Sequence, residues 1–72
     1  MGKFNIQITI TAGQGEGKTQ IHKIIREALE KEGYTSRMLS PIPSLGIEDR
    51  DLIYNEETNI NLFTIQKEVG NV

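Results

Sequence analysis

The stretch Phe4-Asn5-Ile6-Gln7-Ile8-Thr9-Ile10-Thr11-Ala12-Gly13-Gln14-Gly15-Glu16-Gly17-Lys18-Thr19-Gln20 decides how this chain folds. Phe4, Ile6, Ile8 and Ile10 alternate with polar residues. That is a period of two rich in β-branched side chains, which predicts a strand. Gly13, Gly15 and Gly17 then break the pattern with a turn. From Lys18 the period changes. Ile21, Ile24, Ile25, Ala28 and Leu29 fall at i, i+3, i+4, i+7 and i+8, a single helical stripe. Lys23, Arg26, Glu27, Glu30 and Lys31 fill the other face, and Glu27 with Lys31 makes a favourable i, i+4 pair. Gly33 suits a left-handed residue just past the helix end.

Working outward, Tyr34 to Leu39 reads as a second strand, stopped by Pro41 and Pro43. Leu52-Ile53-Tyr54 reads as a short third strand and Glu56 to Asn59 as a turn. Ile60, Leu62, Phe63 and Ile65 mark a fourth, and Val69 to Val72 are expected to fray. The pattern predicts one α/β (α+β) domain over residues 1–72: a two-layer sandwich, with a mixed sheet of three or four strands and one main helix. The order is β-α-β followed by a β-hairpin, and the strand-helix-strand unit is expected to be parallel with a right-handed crossover. Asn5, Gln7, Thr9 and Thr11 give the first strand a polar second face. A central strand covered by helices on both sides would be apolar throughout, so one sheet face is expected to be wet.

Composition removes several function classes. The 72 residues contain no cysteine and one histidine, His22, so disulfides and thiolate metal sites are out and a zinc site is disfavoured. The net charge of −2 argues against a nucleic-acid binder. Six of the eight Lys and Arg lie in residues 1–37, whereas residues 48–57 hold Glu48, Asp49, Asp51, Glu56 and Glu57 against Arg50 alone. That acidic run is expected to be a solvated loop. His22 is expected on the helix surface. No segment is long and apolar enough to span a membrane, and the N-terminus lacks a secretory run, so a cytoplasmic protein is expected.

Ala12-Gly13-Gln14-Gly15-Glu16-Gly17-Lys18-Thr19 resembles the Walker A motif of P-loop nucleotide-binding proteins, with Ala12 in place of the usual first glycine. Glycines let backbone amides turn inward around a phosphate, and a helix N-terminus adds unpaired N–H groups. The resemblance covers about residues 4–40. Ile8 to Thr11 and Glu32-Gly33-Tyr34 look like the opening of nucleotide kinases, and Gly15 to Thr19 looks like that of preprotein-translocase motors. Short phage- or plasmid-borne reading frames are the source class it suggests. It implies that Gly13, Gln14, Gly15, Glu16, Gly17, Lys18, Thr19 and Gln20 would hold the phosphates of ATP or GTP. Lys18 would supply charge, and Thr19 would ligate Mg²⁺ through the nucleotide.

The rest of such an enzyme is hard to find in this sequence. A P-loop enzyme needs a further strand ending in an acid. The nearest candidate, Leu52 to Glu57, has three apolar residues and ends two positions late. The expectation is therefore a minimal module that binds a phosphate-containing small molecule weakly, without complete catalytic machinery. The alternatives are a protein-interaction module on a P-loop-derived scaffold, or an NTPase or kinase fragment active only as a homo-oligomer. A protein partner or a second copy fits this reading, and a membrane does not.

Overall fold

The computed structural model describes residues 4–13, 15 and 17–66. Strand β1 (Phe4–Ala12) leads through the glycine turn into helix α1 (Lys18–Lys31). Strand β2 (Thr35–Leu39), a 3₁₀ turn (Pro43–Leu45), β3 (Ile47–Tyr54) and β4 (Thr58–Gln66) follow. The four strands form one mixed sheet in the order β1-β4-β3-β2. β1 runs parallel to β4, and β3 runs antiparallel to both β4 and β2. The single α-helix of the described residues packs on one face, giving the two-layer α/β arrangement that the sequence predicts.

Local chemistry explains most boundaries. α1 ends where Gly33 takes φ 99°, and the Gly33 and Tyr34 amides then donate to Glu30 and Leu29 carbonyls at 3.1 Å each. This pair of bonds is the Schellman arrangement, which needs a left-handed residue just beyond the helix. It brings Tyr34 back onto Leu29, and both join the core. The β3–β4 hairpin is set by Asn55, whose side-chain oxygen accepts from the Glu57 and Thr58 amides at 2.9 and 2.8 Å.

Several expectations need correction. The acidic segment is not a solvated loop, since β3 begins at Ile47 and places Asp51 in the interior at 3% exposure. The short Leu52–Tyr54 strand is the end of that longer one. β1 and β2 do point the same way, yet they are not neighbours. They form opposite edges, because the β3–β4 hairpin inserts between them. The expected fraying at Val69 to Val72 lies outside the described residues.

The helix is also turned from its expected setting. Ile25 and Leu29 pack against the core of Ile53, Ile60 and Leu62, beside Ile8 and Ile10. Ile21 and Ile24 remain 46% and 50% exposed, and Ala28 is exposed too. At about 100° per residue, the line facing the sheet is Lys18, His22, Ile25 and Leu29. Half of that line is polar, so half of the helix–sheet contact must be held by hydrogen bonds rather than apolar packing.

So small a core concentrates stability in few residues. Leu62→Ala, at a side chain with no exposed surface, is expected to cost about 2–5 kcal/mol. Met38→Ala, at 78% exposure on the β2 edge, should change stability by less than about 0.5 kcal/mol. Urea unfolding of the two variants beside the parent measures both.

Candidate functional site

The buried half of α1 is a chain of polar contacts. His22 is 4% exposed, a core position rather than the expected surface one. Its Nδ1 lies 2.6 Å from Thr64 Oγ1 on β4, and its Nε2 lies 2.6 Å from Asp51 Oδ2 on β3. An ionised carboxylate only accepts, so Nε2–H donates to Asp51. Nδ1 then accepts the Thr64 hydroxyl proton in a neutral ring or donates to its oxygen in a charged one. One turn further along the helix, Arg26 Nη1 sits 3.6 Å from the same Asp51 oxygen. One turn earlier is Lys18, itself only 7% exposed, with Nζ 3.3 Å from Glu48 Oε1. Lys18, His22 and Arg26 are spaced at i, i+4 and i+8, so all three come to the β3 side of one helix face.

Glu48 reaches this face because β3 is irregular. Ile47 pairs with Ile65 while Asp49 pairs with Thr64, a register shift that leaves Glu48 as the extra residue. In a regular strand Glu48 would share a sheet face with Arg50 and Leu52. A bulge frees it to turn toward the helix, a common way for a strand to re-aim a side chain. Among the described residues, every buried side-chain nitrogen and oxygen has a partner.

The glycine turn sits at one end of this chain. Gly15 and Gly17 have φ 82° and 83°, the left-handed region that side chains resist, and nothing lies within 4 Å of a Cβ at either position. Backbone conformation therefore requires glycine there, whereas steric room does not. Gly17 precedes the first helical residue, and α1 has no side-chain cap and no acid in its first turn. Its leading amides thus present positive charge that no acid of that turn balances. Thr19 and Gln20 are exposed, Lys18 is not, and Gln14 and Glu16 lie outside the described residues. Beside the helix start, Thr19, Lys23, Arg26, Glu48 and Arg50 border a pocket of about 300 Å³, at the small end of ligand cavities.

The acids of the sequence divide between the two ends of the sheet. Glu56 and Glu57 lie in the β3–β4 turn, and the Glu57 carbonyl accepts from the Phe4 amide at 2.9 Å. That places them at the start of β1, the end away from the glycine turn, so Leu52 to Glu57 cannot serve as the acidic strand of a P-loop enzyme. Nor is β1 central, as it would be in such an enzyme. Among the described residues no three His, Asp or Glu side chains are placed to hold a metal ion together. A Mg²⁺ at Thr19 would therefore take most of its ligands from a nucleotide and water.

No family model matches this chain, no curated protein is found similar to it, and no solved structure matches it. Among the described residues no helix is long and apolar enough to cross a membrane.

Sequence reasoning missed His22, Asp51, Thr64 and the Lys18–Glu48 contact. The signal for the helix side was present in the polar i, i+4, i+8 spacing. The sheet partners depend on which strands become neighbours, which the spacing does not encode.

The network should behave as a unit. Thr64→Val removes one partner of His22 at constant volume and is expected to cost about 1–3 kcal/mol. His22→Leu and Asp51→Leu should each be strongly destabilising. The double variant should cost clearly less than their sum, because both halves of the buried pair leave together. Guanidinium unfolding of the four proteins completes the cycle.

Proposed function

We propose that the glycine turn and the start of α1 form a weak phosphate cradle, and that Glu48 occupies the lysine of that cradle when no ligand is bound. The observation that carries this reading is the Lys18–Glu48 contact. A lysine at a helix N-terminus adds positive charge to an already positive end, an unfavourable placement unless an anion is near. Here the anion is a single carboxylate, 43% exposed and 3.3 Å away. A phosphate could replace it at Lys18 while also receiving the unpaired leading amides.

The ligand class is a nucleoside triphosphate such as ATP or GTP with Mg²⁺, or another small phosphorylated molecule, held through its phosphates. A few charge-assisted bonds without a lid or base contacts give dissociation constants of roughly millimolar to high micromolar. Catalysis is not part of the reading. Asp51 is engaged by His22 and Arg26, so it is not free to activate water. A cytoplasmic setting, where such nucleotides are abundant, fits a chain without cysteine.

The second reading is a protein-interaction module whose glycine turn binds nothing. The observation favouring it is the exposed apolar flank of α1, Ile21 and Ile24.

Amide chemical-shift titration with pyrophosphate, Mg²⁺–ATP and Mg²⁺–GTP separates the two. Resonances from Gly13 to Gln20 should move, and Lys18→Gln should abolish the movement while leaving the remaining spectrum in place. Glu48→Gln should tighten binding by up to about fivefold, the worth of removing one half-exposed competing charge. Resonances in that stretch that stay fixed at about 10 mM ligand would sink the cradle and leave the interaction module.

A further inference from the structure

We infer that β1 is the self-pairing edge of a symmetric homodimer, in which two copies join into one continuous eight-stranded sheet. The two edges of the monomer sheet are unlike. β2 has only five residues, carries Arg37 and is followed by Pro41. Short length, charge and proline are the means by which proteins keep an edge from pairing. β1 has nine residues, Phe4 to Ala12, with no charge, no proline and an unbroken register along β4. It has none of these protections.

Hydrogen-bond direction shows which backbone groups of β1 have no ladder partner among the described residues. The Phe4 amide donates to Glu57, one residue before its partner Thr58, so Phe4 directs its backbone groups toward β4. Along a strand this direction alternates. Ile6, Ile8 and Ile10 likewise face β4, while Asn5, Gln7, Thr9 and Thr11 present their N–H and C=O to the open edge. An antiparallel copy centred on Ile8 sets Asn5 against Thr11 and Gln7 against Thr9 of the second chain. Each such pair exchanges two bonds. The same register sets Ile8 against its own copy and Ile6 against Ile10 on the helix-covered face. No charge meets a like charge.

The exposed apolar surface lies on the same side. Phe4 and Ile6 on β1 are 58% and 45% exposed, on the face that α1 covers. Arg26 reaches Asp51 on β3, so by the helical period the opposite flank of α1, on the β1 side, carries Ile21. Three of the seven large exposed hydrophobics of the described residues, Phe4, Ile6 and Ile21, therefore lie on this side. A copy seated there would cover them from both sides of the two-fold axis. Use of β1 consumes that edge, so the assembly closes at two chains.

Sedimentation equilibrium across a concentration series reads the mass. It should rise from the monomer's 8.1 kDa to about twice that value and stop. A mass that stays at the monomer value to about 1 mM, or climbs beyond two chains, overturns the proposal. Thr9→Pro removes an outward N–H without touching the β1–β4 ladder and should hold the protein at monomer mass with unchanged circular dichroism. A folded Thr9→Pro dimer overturns it. Should that variant fail to fold, hydrogen exchange of the parent decides. The Asn5, Gln7, Thr9 and Thr11 amides should be protected at high concentration and lose that protection on dilution, while Ile6, Ile8 and Ile10 stay protected throughout. Outward amides that exchange freely at every concentration refute the dimer.

Discussion

The His22 imidazole fastens the helix to the sheet. It has one nitrogen on Thr64 and the other on Asp51, so one ring ties α1 to both β4 and β3, the two central strands. Only three hydrophobic side chains are buried outright among the described residues, too few to fix a helix in rotation and translation by packing alone. Apolar contacts are non-directional and tolerate sliding. Two hydrogen bonds on opposite sides of a flat ring do not, because either bond lengthens if the helix turns or shifts. The polar line under α1 thus sets the rotation that leaves Ile21 and Ile24 outside.

The same constraint governs the glycine turn. α1 begins with Lys18, and its setting over the sheet carries the lysine under the helix toward the β3 bulge. Glu48 is displaced from regular strand geometry at that point. The anion-seeking end of the helix is thereby balanced from within the fold. On the proposed reading a phosphate would take the place of that carboxylate, and the exposed side of Glu48 is where the exchange would occur. The proposed dimer edge is separate from this region: an antiparallel pairing centred on Ile8 would send the two glycine turns to opposite ends of the seam.

Much of the architecture is legible from residue order. Alternation marks β1, the periodic isoleucines mark α1, Gly33 marks its end, and the polar half of β1 correctly signals a sheet covered on one side. What residue order conceals is partnership. The stripe Ile21-Ile24-Ala28 looks like the buried face because hydrophobicity is averaged around the helix. His22 is placed instead by Asp51 and Thr64, which lie 29 and 42 residues away. The acidic run 48–57 reads as solvated because its charge is counted along the chain. Strand alternation splits it, sending Asp51 inward and Arg50 outward. The glycine turn is legible in type, since φ near 80° at Gly15 and Gly17 admits little else. The fate of Lys18 is not, because it depends on a bulge in a strand about thirty residues on.

The position of β4 bears on how the chain reaches this state. β4 is the last strand of the described residues, yet it stands between β1 and β3. Its hairpin with β3 closes through a few residues around Asn55 and can form early. β1 must instead find a partner much further along, since Asn5 and Asn59 meet across the ladder 54 residues apart. Closing a loop of that length carries an entropic cost that precedes any reward from pairing. The topology therefore predicts that the first strand is the last to be seated. Until it is, a long, uncharged, β-prone segment stays open to whatever edge it meets first. The proposed self-limiting pair of such strands would turn that hazard of the folding chain into a fixed property of the folded one.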